Sequence, residues 1–318
     1  MPFPWPWPRP LLFLWHSTWY APCEDVTTPG KEFTSIQVPQ NTTDRLISTS
    51  VQPAKVGNAM RVEVKTGDVA VNPYNGVEIK SGWRAEAIGP YETETSSPVR
   101  YTWSTRFDPA YVNDPRDSAG QRIWQVMFQW HQGDNDRGVE PPIAFTIVYD
   151  NIMLDLHRHD PLNQDKSIKV GEWPVAQLDR GAWHDFAAEI RWHQGQGTIR
   201  IWHNGVPHIF NPQGQPLYPA QPTDILTGLD TLFPPRTSAK PSEAYMKVGL
   251  YRKGVDSIPP EPFVLYHDEI TRWEGGFIVP ILRPLDWLRK LIKVPFPFPE
   301  RPGPKPWPLS QSLRSAGS

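Results

Sequence analysis

Residues 184–204, HDFAAEIRWHQGQGTIRIWHN, contain the pattern that decides the fold class. Two segments suited to β-strands, 184–193 and 197–204, flank the turn residues Gly195-Gln196-Gly197. Glycine adopts the backbone conformations that tight hairpin turns require. Because a turn this short can only join antiparallel strands, the stretch predicts a β-hairpin.

Short strands separated by turn residues recur over much of the chain. Further strands are predicted at 59–66, 82–89, 100–108, 122–132, 143–149, 152–158, 244–252 and 263–273. No helical pattern alternates with them, which argues against a parallel α/β sheet. Aromatic residues make up 12% of the chain and suit pleated surfaces. We therefore predict an all-β protein built as an antiparallel β-sandwich.

Proline divides the chain into three zones. The sequence has 38 prolines among 318 residues, well above the usual level of roughly 5%. Five fall in the first ten residues and nine in residues 280–308. We predict a Pro/Trp-rich N-terminal tail at 1–24 and a sandwich domain at 25–276. A Pro-rich C-terminal tail with a short amphipathic helix is predicted at 277–318.

Charge, cysteine content and hydropathy exclude several classes of protein. The net charge of −2 gives no support for binding to nucleic acid. The single cysteine excludes an intrachain disulfide framework and a cysteine-based zinc site. No segment is long and apolar enough to span a membrane, and no secretion signal is recognisable.

A polar face recurs on three of the predicted strands. Successive side chains of a strand point to opposite faces, so residues two apart share a face. By this rule the polar sets are Arg84 with Glu86, Gln125 with Gln129 and His131, and Tyr245 with Lys247 and Tyr251. Trp124 falls on the opposite face of its strand, which we assign to the core.

Such a face has two interpretations. An antiparallel sheet often has one solvated side, so polar alternation on one strand needs no function. A solvated face usually carries lysine, glutamate, threonine and serine. The glutamine, histidine, arginine and tyrosine found here suit a binding groove better, and their occurrence on three strands favours one.

Three motifs and a supporting segment carry a resemblance to a known family. They are Arg84-Ala85-Glu86-Ala87, Gln129-Trp130-His131, Tyr245-Met246-Lys247-Val248-Gly249-Leu250-Tyr251 and Trp183-His184-Asp185-Phe186. In them the chain resembles the jelly-roll polysaccharide lyases, which include heparin lyase I-like, glucuronan and alginate lyases. The resemblance covers roughly residues 55–275. Ala85, Ala87 and Ile88 depart from the alginate lyase pattern, which leaves the polysaccharide open.

The resemblance implies a concanavalin-like jelly roll that cleaves a uronic-acid-containing polysaccharide by β-elimination. It implies that Arg84 and Gln129 bind and neutralise the substrate carboxylate. His131 is expected either to help in this or to act as the base. Tyr251 is expected to be the catalytic acid, and for some substrate stereochemistries also the base.

Four further residues are expected to bind substrate from the same polar faces: Glu86, Gln125, Tyr245 and Lys247. An unperturbed tyrosine has a pKa near 10. We therefore expect Arg84 and Lys247 to lower the pKa of Tyr251. No metal is expected, although Asp134-Asn135-Asp136 leaves a calcium ion open.

Two other functions stay open on the sequence. A carbohydrate-binding module without catalysis would use the same sandwich, because a fold does not imply a function. A structural protein of a surface or virion assembly would explain the two Pro/Trp-rich tails, through which the chain would form homo-oligomers. An acidic polysaccharide is the expected partner, and an extracellular, surface or virion location follows from it.

Overall fold

A computed structural model describes residues 11–280 with several gaps. The gaps are 43, 51–53, 113, 134–138, 164, 213–218, 236–240 and 255–262, and at 11–15 and 276–280 only the backbone is described. Phe13–Phe277 form one compact unit, and Met1–Leu12 with Ile278–Ser318 form a second. The predicted C-terminal amphipathic helix lies outside the described residues.

The described residues form seventeen strands and no helix. They are β1 (Leu11–Ala21), β2 (Ser35–Gln37), β3 (Leu46–Thr49), β4 (Ala59–Val64), β5 (Val69–Val71), β6 (Glu78–Glu92), β7 (Val99–Phe107), β8 (Gln125–Gln132), β9 (Ile143–Val148), β10 (Asn151–His159), β11 (Ser167–Gln177), β12 (Trp183–Arg191), β13 (Gly197–His203), β14 (Val206–Pro207), β15 (Leu226–Leu229), β16 (Ala244–Arg252) and β17 (Phe263–Pro280).

Two antiparallel sheets form the layers of the sandwich. The first has nine strands in the order β14-β13-β12-β7-β17-β4-β3, with β1 beside β17 and β15 beside β13. The second has eight strands in the order β11-β10-β9-β8-β16-β6-β2, with β5 beside β6. The predicted all-β antiparallel sandwich is confirmed.

Aromatic side chains fill the space between the sheets. Trp103 of the first sheet stacks on Phe128 of the second, with ring centroids 4.3 Å apart. Ala85 and Ala87 also face this core and are fully buried. Arg84 and Glu86 lie on the opposite face of β6, because the side chains of neighbouring residues in a strand point to opposite faces.

Each of the ten predicted strands is observed. The hairpin predicted from Gly195 and Gly197 is β12 with β13. The sequence missed β2, β3, β5, β14 and β15, which have two to four residues. It also missed β11, because Gly171 and Pro174 are residues typical of turns. Both lie where the pairing of β11 with β10 is irregular.

The predicted domain boundaries need a correction at both ends. Leu11–Ala21 form β1 beside β17, so they belong to the sheet and not to the tail predicted at 1–24. This stretch contains no proline, and its Trp19 packs edge-on against Phe33 at 5.7 Å. At the other end, β17 continues to Pro280, beyond the predicted boundary at 276.

Candidate active site

Three neighbouring strands of the eight-stranded sheet bring the sequence motifs side by side. In the antiparallel register, Arg84 of β6 lies opposite Tyr251 of β16. Lys247 of β16 lies opposite Gln129 of β8, and Tyr245 opposite His131. The outer face of β6, β16 and β8, which we call the groove face, therefore carries residues from all three motifs.

The carboxylate of Glu86 is the centre of a buried polar network. It accepts a hydrogen bond from Gln129 Nε2 at 2.6 Å. Its second oxygen lies 3.4 Å from Arg84 Nη1 and 3.7 Å from Lys247 Nζ. All four residues are at most 5% exposed. Two cations thus share one carboxylate, which leaves the network with one net positive charge.

Two residues that the sequence did not single out complete this network. Lys247 Nζ donates to Gln37 Oε1 at 2.9 Å, and Arg84 Nη2 donates to Ser81 Oγ at 2.6 Å. Gln37 ends the three-residue strand β2, too short for its pattern to be recognised. Ser81 lies just before the predicted strand 82–89, whereas β6 already begins at Glu78.

The pKa of Lys247 is lowered to about 8. Burial is the largest cause, since it disfavours the charged ammonium. Glu86 opposes this effect and Arg84 adds to it. Lys247 is therefore a cation at neutral pH that loses its charge well below the ordinary range of lysine.

Tyr251 lies under the guanidinium of Arg84, whose Cζ is 3.7 Å from the ring centroid. The phenol donates a hydrogen bond to the backbone carbonyl of Ser81 at 3.1 Å. Burial raises the pKa of Tyr251 and outweighs the lowering by Arg84. The expectation of a lowered pKa was wrong, because burial destabilises the charged phenolate more than the nearby Arg84 cation stabilises it. At neutral pH the phenol is protonated.

His131 is a half-buried, neutral imidazole on the same face. Its Nδ1 lies 3.0 Å from the backbone carbonyl of Gln132. A nitrogen that bonds to a carbonyl carries the ring proton, so Nε2 is the unprotonated nitrogen. Loss of hydration lowers the pKa of His131 to about 3, and the charges of Lys247 and Arg84 contribute.

The ring of Tyr245 lies between His131 and a second tyrosine. Its centroid is 5.5 Å from that of His131 and 5.3 Å from that of Tyr91. Tyr245 itself is only 2% exposed. It is buried beside the groove face, and its neighbours rather than its own ring meet solvent.

Gln125 does not share the groove face, contrary to the expectation from period-two alternation. It is fully buried and accepts a hydrogen bond from the phenol of Tyr111 at 2.6 Å. The register of β8 with β9 is irregular between Val126 and Phe128, and such a bulge changes which face later residues occupy. The assignment of Gln125 to substrate binding was therefore wrong.

The same irregularity reverses the face of Trp124. This residue is 38% exposed, and its ring meets that of Tyr251 edge-on at 4.6 Å. The prediction that Trp124 lies in the core was wrong. Its indole instead borders the groove face beside the candidate acid.

A second irregularity lies in β16 itself, between Val248 and Tyr251. Gly249 has a φ of 150°, and a Cβ there would lie 2.2 Å from the carbonyl oxygen of Ala85. Only glycine fits so close to a neighbouring backbone. From the opposite sheet, the buried His267 donates from Nε2 to the Gly249 carbonyl at 3.2 Å. This contact holds the backbone that carries Lys247 and Tyr251.

The described residues contain neither a metal-binding cluster nor a membrane-spanning helix. Among them, no group of three or more His, Cys, Asp and Glu side chains is arranged to hold a metal ion. Residues 134–136, which left calcium open, lie outside them. In the same part of the chain there is no helix that would cross a membrane.

Comparisons with solved structures agree with this architecture. An endo-β-1,4-glucuronan lyase from the fungus Trichoderma reesei is 13% identical, with a TM-score of 0.54 over 84% of this chain and 98% of that one. The alginate lyase vAL-1 from Chlorella virus is 9% identical, with a TM-score of 0.44 over 76% and 91%. A PL-14 alginate lyase from Aplysia kurodai is 10% identical, with a TM-score of 0.45 over 81% and 98%. At 13% identity the likeness to the Trichoderma enzyme concerns the fold alone.

The family follows from the sequence itself. No curated protein matches the chain. A family model described as Polysaccharide lyase matches residues 30–271, which include the groove face and every described strand except β1 and the end of β17. The resemblance in the three motifs is confirmed, and this chain belongs to the polysaccharide lyase family.

Proposed function

We propose that this polysaccharide lyase cleaves a uronic-acid-containing polysaccharide by β-elimination. The observation that carries the proposal is the charge of the buried network. Arg84 and Lys247 share the single carboxylate of Glu86, so one positive charge has no counterpart within the network. Buried charges are stable when they are paired. A carboxylate on the substrate would supply the missing partner.

The reaction requires three things of the protein. The proton on C5 of a uronic acid lies next to the C6 carboxylate and is only weakly acidic. Its removal places negative charge on that carboxylate, which positioned cations and donors stabilise. The electrons of the C5–H bond form the C4–C5 double bond, the C4–O4 bond breaks, and the departing O4 takes up a proton. A base and an acid are therefore needed besides the cations.

We assign the binding of the substrate carboxylate to Arg84, Lys247 and Gln129. The planar guanidinium of Arg84 suits a carboxylate, since its parallel N–H groups match the two oxygens. Lys247 contributes a point charge, and the Gln129 amide contributes a neutral donor. Glu86 holds these groups apart and in place through the contacts described above.

We assign the base to His131 and the acid to Tyr251. A base must be unprotonated, and the pKa of His131, lowered to about 3, keeps its Nε2 free of a proton at neutral pH. An acid must carry its proton, and the raised pKa of Tyr251 keeps the phenol protonated. The two groups thus hold the protonation states that these roles require, and a bound substrate carboxylate would raise the pKa of His131 by offsetting the charges of Lys247 and Arg84.

The first test replaces the acid. Tyr251→Phe keeps the ring beneath Arg84 and removes only the proton donor. We expect its turnover to fall by roughly 10²- to 10⁴-fold, the usual contribution of general acid–base catalysis. The measurement is the ultraviolet absorbance of the unsaturated product, on a panel of glucuronan, alginate and heparin-like chains.

A matched control is Tyr20→Phe, which removes the hydroxyl of an exposed tyrosine on the opposite sheet. Its turnover should equal that of the unaltered protein. Full activity of Tyr251→Phe would contradict the assignment of the acid. Binding to these polymers without any product from the unaltered protein would instead favour a carbohydrate-binding module.

The polymer and the location are part of the same proposal. Glucuronan heads the panel because it is the polymer named for the Trichoderma enzyme whose fold this chain shares. Acidic polysaccharides of this kind occur outside cells, so we propose an extracellular or surface-associated location. A panel in which a single polymer yields product would identify the substrate.

A further inference from the structure

The groove face continues past His131 into a row of tyrosines. The ring of Tyr245 follows His131 at 5.5 Å, and that of Tyr91 follows Tyr245 at 5.3 Å. The hydroxyl of Tyr91 lies 3.3 Å from that of Tyr74, which comes from the loop between β5 and β6. Ring contacts thus connect His131 to Tyr91, and a contact between hydroxyl groups connects Tyr91 to Tyr74.

The outer two tyrosines of this row differ from the inner one in exposure. Tyr74 is 61% exposed and Tyr91 is 42% exposed, whereas Tyr245 is 2% exposed. Exposed aromatic side chains grouped at the end of a groove are typical of a ligand-binding surface. Their rings present an apolar face and their hydroxyls a polar edge, a combination that suits a sugar ring.

The opposite end of the groove face also carries an exposed aromatic ring. Trp124 lies edge-on to Tyr251 and is 38% exposed. Exposed aromatic rings thus border the groove face beside Tyr251, near the end of β16, and beside Tyr245, near its start.

We propose that Tyr74 and Tyr91 form a stacking platform for the pyranose ring that follows the reacting uronate on its reducing side. The assignment rests on the proposed function, which sets the direction of the polymer. The departing O4 belongs to the non-reducing part of the chain, and its proton comes from Tyr251. His131 takes the proton of C5 on the other side. The sugar attached through C1 of the uronate therefore lies beyond His131, over the two exposed tyrosines.

The test compares substrates of different length. The double variant Tyr74→Ala/Tyr91→Ala removes both rings. On long oligoglucuronates we expect its kcat/KM to fall about tenfold, from the loss of aromatic contacts. On the shortest cleaved oligosaccharide, which ends before the platform, kcat/KM should be unchanged. Tyr91→Phe keeps the ring and should retain nearly all activity on both.

Tyr20→Ala is the matched control, because Tyr20 is 48% exposed but lies on the opposite sheet. It should leave both substrates unaffected, and thermal unfolding should show that all variants fold. An equal loss on short and long substrates, or no loss on either, would overturn the platform.

Failure of the proposed function gives a different result. In that case the unaltered protein forms no unsaturated product from any polymer of the panel. The platform is then tested by electrophoresis in gels that contain glucuronan. Retardation that the double variant loses and Tyr20→Ala keeps would support the platform. Equal mobility of all three proteins would contradict it.

Discussion

Lys247 is a groove-face residue whose charge changes just above neutral pH. Burial lowers the pKa of its ammonium to about 8, so the group is protonated at pH 7 and neutral at pH 9. Loss of this proton removes the net positive charge that we assign to carboxylate binding. The raised pKa of Tyr251 keeps that phenol protonated over the same interval.

We therefore predict that kcat/KM falls as the pH rises through about 8. The pH dependence of this ratio reports pKa values of the free protein, in which no substrate carboxylate lies near Lys247. In Lys247→Arg the cation persists to much higher pH, so the fall should move upward or vanish. A fall at the same pH in both proteins would assign it to another group.

Glu86 is the residue on which the buried cations depend. Glu86→Gln removes the carboxylate near Arg84 Nη1 and Lys247 Nζ. Breaking a buried ion pair by removing one partner costs roughly 3–5 kcal/mol. We predict a loss of this order in the free energy of unfolding, measured by chemical denaturation. The pKa of Lys247 should also fall further, because Glu86 raises it.

An exposed pair supplies the comparison. Asp224 and Arg200 lie 3.7 Å apart, with side chains 52% and 41% exposed. Asp224→Asn should change the free energy of unfolding by less than about 1 kcal/mol, since exposed ion pairs contribute little. Similar losses in the two variants would show that the network around Glu86 is not stabilised by its carboxylate.

At the scale of the element, the irregular part of β16 is held from the opposite sheet. His267 of β17 is fully buried, donates to the Gly249 carbonyl and lies 3.0 Å from Thr105 Oγ1. Burial lowers its pKa to about 4. Between about pH 4 and the ordinary value of 6.5, the unfolded state binds a proton that the folded state does not. Stability from this residue is therefore lost as the pH falls through that window.

We predict that His267→Gln flattens the pH dependence of unfolding between pH 6.5 and 4. Between pH 6.5 and 4, the free energy of unfolding should fall by on the order of 3 kcal/mol more in the unaltered protein than in the variant. The comparison of two proteins is needed because burial raises the pKa of the neighbouring Asp268 to about 6. The Asp268 carboxyl makes the protein more stable as the pH falls, and it does so in the unaltered protein and in the variant alike. Parallel curves would contradict the prediction.

At the scale of the whole molecule, both terminal segments are rich in proline and contain tryptophan. The Pro/Trp composition of these segments predicts assembly into homo-oligomers or a larger structure. Residues 1–10 and 281–318 can be removed without shortening any described strand. We predict that the truncated protein keeps its lyase activity and forms particles with fewer subunits. Light scattering, which gives the mass of the particles in solution, measures this number. An unchanged oligomeric state would contradict the role of the tails.

Much of the site was predictable because the relevant pattern is local. Arg84 and Glu86 lie two apart on one strand, as do Gln129 and His131, and alternation alone groups each pair. Gln125 and Trp124 were misassigned for a physical reason. A bulge adds one residue to a strand and reverses every face beyond it, and nothing in the residues around Val126 signals one.

The sequence by itself determined the all-β class, the hairpin at Gly195 and Gly197, and the shared polar face of Arg84 with Glu86 and of Gln129 with His131, because turns and alternation depend on neighbouring residues. Only the tertiary structure decided which strands are neighbours and where their register slips. It brought Gln37 from a three-residue strand to Lys247, and Tyr74 from a loop to Tyr91. These contacts join residues far apart in the chain, and their formation depends on the packing of the whole sandwich.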